Sequence, residues 1–196
     1  MKDLDAYEIL LASRSPRRAV LMKGLGIRFR VVSSAHIHEN YPVHLSGGEI
    51  AQFLAEHKSD TYHAPLEGNQ ILLTADTIVW HQGRELGKPA DREEAIGMVA
   101  ALSGDTHQVY TGVCLRSTLA RKAFYAMTDV RFSRLDREEI EHYVDHYRPY
   151  DKAGAYGIQE WIGYIAVDKI VGSYFNVMGL PVQKVYSELK TFIRHT

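Results

Sequence analysis

Arg17 and Arg18 stand where a helix should disfavour them. Ser15-Pro16 has the order of an N-cap followed by a residue preset for the first helical position. Ala19, Val20, Leu21, Met22 and Leu25 follow, and Gly26 suits the stop. A helix start carries about half a positive charge, so it favours Asp or Glu and repels cations. Two guanidiniums in that first turn, with Arg14 just before the cap, are relieved if an anion sits among the helix N–H groups. Phosphate is the natural candidate. The alternative is that these arginines are solvated or pair with distant carboxylates.

A second candidate is Asp76-Thr77, which is expected to end an otherwise apolar strand over Ile71–Ala75. A carboxylate at a strand end suits a general base or a metal ligand; it also suits an Asp that caps a turn. Lys88 lies between Gly87 and Pro89 in a stiff, exposed loop. Gly83 to Lys88 (GRELGK) resembles a phosphate loop only superficially. The Walker spacing needs four residues between the glycines and Ser or Thr after the lysine; here there are three, and Pro89 follows. His36, His38 and Glu39 could form a metal site, or be surface histidines beside an acid; no HExxH or CxxC accompanies them. GxGxxG and GxSxG are absent, which argues against a dinucleotide enzyme or a serine hydrolase.

The elements that must position these residues read as follows. Glu8–Ser13 is a buried strand, and Ile27, Phe29 and Val31 alternate as a half-buried one. Ser46 and Glu49 have capping-box spacing ahead of a helix with Ile50, Phe53, Leu54 and His57 on one face and Lys58 near its end. After the strand at 71–75, His81-Gln82-Gly83-Arg84 is a hairpin turn. Asp91 with Glu94 opens a helix to Leu102. Thr106–Arg116 and Lys122–Arg134 are long strands. Asp136 with Glu139 opens a helix to about Tyr147. Ile162–Val171 reads as a strand and Pro181–Phe192 as a closing helix. Helices and strands mix without strict alternation, which predicts an α/β fold with a mixed sheet and flanking helices.

The chain's 196 residues suffice to bury a core without disulfides or a structural metal. Its formal net charge of −1 provides no field for nucleic acid or an anionic membrane, so anion binding must be local. The single cysteine, Cys114, is expected to be a buried, inert thiol. No stretch approaches the ~18 apolar residues of a membrane span. The charged first residues lack a signal-peptide core, so the cytoplasm is the expected location.

Several segments, in order, resemble the Maf family of nucleotide pyrophosphatases. They are Leu11–Arg18 (LASRSPRR), Lys58, Ala75-Asp76-Thr77, Gly87-Lys88-Pro89, Leu102–His107, Val109–Gly112, Asp151–Gln159 (DKAGAYGIQ), Gly172-Ser173 and Gly179-Leu180-Pro181. The resemblance runs nearly end to end. It implies one Maf-like domain over residues 1–196, with a Maf/ITPase-like mixed sheet and two lobes around a cleft, working as a cytoplasmic homodimer. The implied reaction is hydrolysis of a nucleoside triphosphate to monophosphate and pyrophosphate, with a divalent cation, Mg2+ or Mn2+. By the same resemblance Asp76 matches the proton acceptor and, with Glu39, holds the metal. Lys58 and Lys88 match phosphate-binding lysines, and Ser13 and Arg18 the phosphate-cradling loop. Arg17, Thr77 and Gln159 match positions that distinguish substrate subgroups, and here look like the dTTP/UTP subgroup, with modified pyrimidine nucleotides as further candidates. Tyr147-Arg148-Pro149-Tyr150 departs from the pattern, since many members carry an acid shortly before DKAG. The rival reading is a non-catalytic nucleotide sensor, because the family is also associated with septum-formation inhibition.

Overall fold

A computed structural model of the chain describes residues 4–33 and 40–194. After a 3-10 turn at Leu4–Ala6, the order is β1 (Glu8–Ala12), α1 (Pro16–Gly24), β2 (Phe29–Val32), α2 (Gly48–Asp60), β3 (Gln70–His81) and β4 (Arg84–Leu86). Then come α3 (Arg92–Leu102), β5 (Thr106–Arg116), β6 (Arg121–Phe132), α4 (Arg137–Tyr147), α5 (Trp161–Ile165), β7 (Val167–Val171), α6 (Tyr174–Met178) and α7 (Val182–Phe192).

The described strands form one mixed sheet in the order β2-β1-β3-β5-β6-β7, with β4 pairing β3. β1 pairs parallel with both β2 and β3, whereas β4 on β3 and β7 on β6 are antiparallel. Parallel strands lie under helices on both faces, which is why β1 and the first half of β3 read as unbroken apolar runs. The hairpin between β3 and β4 has two residues in its turn, Gln82 at φ 49° and Gly83 at φ 80°. Both signs are what a tight hairpin matched to strand twist requires. The mixed α/β fold with flanking helices is the one the sequence predicts.

Two expectations are corrected. Ile162–Val171 is not one strand: its first half is α5, and β7 starts at Val167. Ile162 and Ala166 are both fully buried and four residues apart, a helical period. Ser15 has cap-like backbone angles, but its hydroxyl makes no cap bond; its own N–H donates to Ser13 Oγ at 3.2 Å. The short helix α6 is not among the expected elements, although Ser173 caps it: its hydroxyl accepts the Asn176 N–H at 3.3 Å.

The chain divides into two compact units. One holds the described residues through Asp76, Thr111–Ala126 and the segment from Gly179 onward. In it α2 buries Ile50, Ala51, Leu54 and Ala55, and α7 buries Val185, Leu189 and Phe192. The other comprises Thr77–Tyr110 and Met127–Met178. Its core joins Val99 and Leu102 of α3 to Ile140, Tyr143 and Val144 of α4, Phe132 of β6, and Tyr156, Ile158 and Ile162. Cys114 is fully buried, as expected.

Within that second core the rings of His107, Phe132 and Tyr156 meet edge to face, and His107 Nε2 lies 2.7 Å from the Tyr156 hydroxyl. Burial, with a smaller push from His81, lowers the His107 pKa from 6.5 to about 3. The unfolded chain therefore binds a proton that the folded chain refuses. The stability this represents is complete above pH 6.5 and is lost as the pH falls towards 3. Urea titrations between pH 6.5 and about 5 should show wild-type stability falling more steeply than that of His107→Gln. The difference should approach the ~1.4 kcal/mol per pH unit of one proton. Parallel profiles would show that His107 is not held neutral.

Candidate active site

Asp76 sits where the parallel pairing stops but the strand does not. The β1–β3 ladder ends at Leu11–Leu73, the antiparallel pairing with β4 begins at Val79, and β3 runs unbroken through both. The expectation that Asp76 ends its strand is thus corrected, and the turn-cap reading falls with it. Its carboxylate is buried and bonded to the Lys58 ammonium. The two side chains are only 15% and 9% exposed, so the pair sits in a poorly hydrated place.

Lys58 reaches Asp76 because the end of α2 is tied down on several sides. Thr74 Oγ1 of β3 donates to the Ala55 carbonyl at 2.7 Å, and Thr61 Oγ1 donates to the Lys58 carbonyl at 2.9 Å. Arg116 Nη2 donates to the Tyr62 carbonyl at 2.8 Å, and Arg121 pairs with Asp60 at 2.7 Å. At the other end of the helix, Glu49 accepts from the Ser46 N–H at 3.1 Å, the expected box interaction, although the cap residue is Gly47 at φ 47°. Gly112 of β5 lets the helix backbone lie on the sheet: a Cβ there would fall 2.1 Å from the Ala51 carbonyl oxygen.

Ser13 and the two arginines surround the start of α1, in the same unit as Lys58 and Asp76. Ser13 is buried and accepts the Ser15 N–H. No acid lies in the first turn of α1, as the sequence shows. Arg18 Nε donates to the Gly179 carbonyl at 2.7 Å, so this guanidinium also anchors the segment that leads into α7.

Thr77, Lys88 and Gln159 belong to the second unit. Lys88 is exposed, and the loop that carries it is tied to the loop that carries Gln159 by the Gly154 N–H donating to the Gly87 carbonyl at 3.0 Å. Gln159 is half-buried and follows a run of buried residues. Glu39, with His36 and His38, lies outside the described residues. Among the described residues no three His, Cys, Asp or Glu side chains cluster as a metal site. Among the described candidate residues, the acidic donor is the buried Asp76 carboxylate. It is a hard oxygen ligand of the kind magnesium accepts when water and phosphate supply the remainder.

The sequence reading passed over Lys152, Glu160 and Tyr143. Lys152 is 8% exposed, with its Nζ 2.7 Å from Asp151 Oδ1 and 3.1 Å from Glu160 Oε1. A lysine inside a Gly- and Ala-rich loop signals burial only weakly, and its partner lies beyond the loop.

The Maf-like protein family model matches residues 8–192. A dTTP/UTP pyrophosphatase of Bacteroides fragilis is 55% identical over 97% of this chain and 98% of its own length. One of Parabacteroides distasonis is 50% identical over 98% of this chain and the whole of its own. One of Flavobacterium johnsoniae is 47% identical over 97% of each. Among solved structures, a HAM1 protein from Coxiella burnetii superposes with a TM-score of 0.52 at 14% identity, covering 94% of this chain and 99% of that one, which is a likeness of fold. With its mixed sheet, its paired lysine and aspartate and a match from the first strand to the last helix, the chain belongs to the Maf family.

Proposed function

We propose that the protein hydrolyses dTTP and UTP to the nucleoside monophosphate and pyrophosphate. The observation that carries this is the buried Asp76–Lys58 pair, within a chain that matches relatives named dTTP/UTP pyrophosphatase along nearly all its length. None of the described helices is long and apolar enough to cross a membrane. We place the enzyme in the cytoplasm as a homodimer, with the whole chain working as one catalytic domain.

Each residue's chemistry follows from its type and setting. Asp76 accepts the proton of the attacking water, the role of a general base placed within reach of the proton it removes. Lys58 balances Asp76 in the free protein and offers its ammonium to the substrate's phosphates. A triphosphate brings about four negative charges, and Ser13, Arg17, Arg18 and Lys88 supply donors and positive charge against them. Asp76, with Glu39, would hold a divalent cation, Mg2+ or Mn2+, which when bound neutralises phosphate charge and acidifies water. Thr77 and Gln159 face the base. The Gln159 amide donates to one uracil carbonyl and accepts from the ring N–H.

Two measurements test this. Chromatography should find monophosphate and pyrophosphate; diphosphate plus free phosphate would overturn the reaction, and metal-dependent turnover excludes a sensor that only binds. In Gln159→Glu, the carboxylate only accepts. It repels a uracil carbonyl and suits the two adjacent donors of guanine. The UTP-to-GTP ratio of kcat/KM should fall by at least about 10-fold. If kcat/KM for UTP, dTTP, CTP and GTP falls equally, Gln159 does not read the base.

A further inference from the structure

The segment that carries Gln159 is tied to α4 by a buried phenol. Tyr143 of α4 is fully buried, and its hydroxyl has two partners. The Gly157 N–H donates to it at 3.0 Å, and it donates in turn to Glu160 Oε2 at 2.5 Å. Those partners lie two residues before Gln159 and one residue after it. The other oxygen of the Glu160 carboxylate is held by Lys152 at 3.1 Å, so one side of the segment is closed by an ion pair and the other by the phenol. Burial, and then the Glu160 carboxylate, push the Tyr143 pKa up, so the hydroxyl stays a donor.

The Gln159 amide depends on the course of this segment. A Cβ on Gly157 would lie 2.9 Å from the Glu160 carboxyl carbon and 3.1 Å from Gln159 Nε2. The amide is therefore folded back over the Gly157 α-carbon, beside the carboxylate that Tyr143 holds. A hydrogen bond to a base edge tolerates only about 0.5 Å of misplacement, so whatever fixes residues 157 to 160 fixes the reading.

We propose that Tyr143, acting through Gly157 and Glu160, is a positioning residue for the base-reading amide of Gln159, and so sets selectivity among nucleobases. This rests on the assignment of base reading to Gln159. Removing the phenolic oxygen leaves the Gly157 N–H unpaired and the Glu160 carboxylate held by Lys152 alone. The ring keeps its place in the core and the backbone turn from the Glu160 N–H to the Gly157 carbonyl, at 2.9 Å, remains, while the turn loses its tie to α4 and can shift relative to it.

The test is kcat/KM for UTP, dTTP, CTP and GTP on the full chain. In Tyr143→Phe the UTP-to-CTP ratio should fall about 5- to 10-fold, mainly through a higher KM for UTP, with kcat for UTP within about twofold of wild type. Glu160→Ala, which leaves Tyr143 intact, should fall with it. Glu160→Gln, which keeps an acceptor for the phenol, should retain more of the ratio than Glu160→Ala. A purely structural role would lower the melting temperature and the rates on all four nucleotides together with the ratio unchanged, and that result overturns the proposal. Gln159→Ala separates the two layers. If it leaves the ratio intact, base reading by Gln159 is wrong. If it abolishes the ratio while Tyr143→Phe and Glu160→Ala preserve it, base reading stands and the role of Tyr143 is wrong.

Discussion

Asp76→Asn should fold, bind nucleotide and lose at least about 100-fold in turnover, the usual scale for removing a general base. The substitution preserves volume in a buried side chain, so packing is unchanged. What changes is charge. An amide has no basicity for the water's proton, and the Lys58 ammonium loses its carboxylate in a place with little water. The first loss appears in kcat. The second should lower apo stability by about 1–3 kcal/mol, because a poorly hydrated cation has lost a charged partner. Affinity for a triphosphate should hold or tighten, since Lys58 is released from its internal partner and a negative charge has left. Single-turnover kinetics at saturating metal, with calorimetric titration of UTP, would separate these effects. A rate within about tenfold of wild type would remove Asp76 from the proton-transfer role.

The other large effect falls on stability. Gly112→Ala should destabilise the protein by about 3 kcal/mol, the upper end of the usual overpacking range, because the neighbour is rigid backbone. The added Cβ would lie 2.1 Å from the Ala51 carbonyl oxygen, 2.2 Å from its carbon and 2.4 Å from the Gln52 nitrogen. These are backbone atoms of α2 and cannot rotate away as a side chain would. The helix would have to retreat by more than about 1 Å to restore ordinary contact. Lys58 rides on that helix, so surviving folded protein should also turn over more slowly. For a chain of this size the melting temperature should drop by roughly 6–12 °C. Gly97→Ala is the contrast. Gly97 lies inside α3 with nothing within 4 Å of a new Cβ, and should gain up to about 1 kcal/mol of helix propensity. Equal melting temperatures for the Gly112 variant and wild type would refute the close approach.

Where a feature depends on neighbours in sequence, it was legible. Asp91 accepts the Glu94 N–H and Asp136 forms a full capping box with Glu139, both as their spacing predicts. The Gln82-Gly83 turn is readable for the same reason, because the sign of φ at two residues decides it. Failures came where burial overrode propensity. Ile162–Val171 is rich in β-branched and aromatic residues, yet its first half packs at a four-residue period and is a helix. The lysine and aspartate of the site are each legible, but their union is not, because it depends on α2 meeting β3 across 18 positions of sequence. Tyr143 and Glu160 are likewise joined only by folding, one from a helix face and one from the residue just before α5.

The bond from Arg18 to Gly179 spans 161 positions of sequence. The unit that carries Ser13, Arg18, Lys58 and Asp76 also takes in Thr111–Ala126 and the segment through α7. The other unit draws only on Thr77–Tyr110 and Met127–Met178. During synthesis, then, the second unit has all its parts first, and the unit made from the earliest residues must wait for the latest. Pairings of such long sequence separation form slowly and late. A nascent chain halted before Gly179 would lack the carbonyl that Arg18 Nε bonds. The unit that holds Lys58 and Asp76 is therefore completed only after the segment from Gly179 onward has been made.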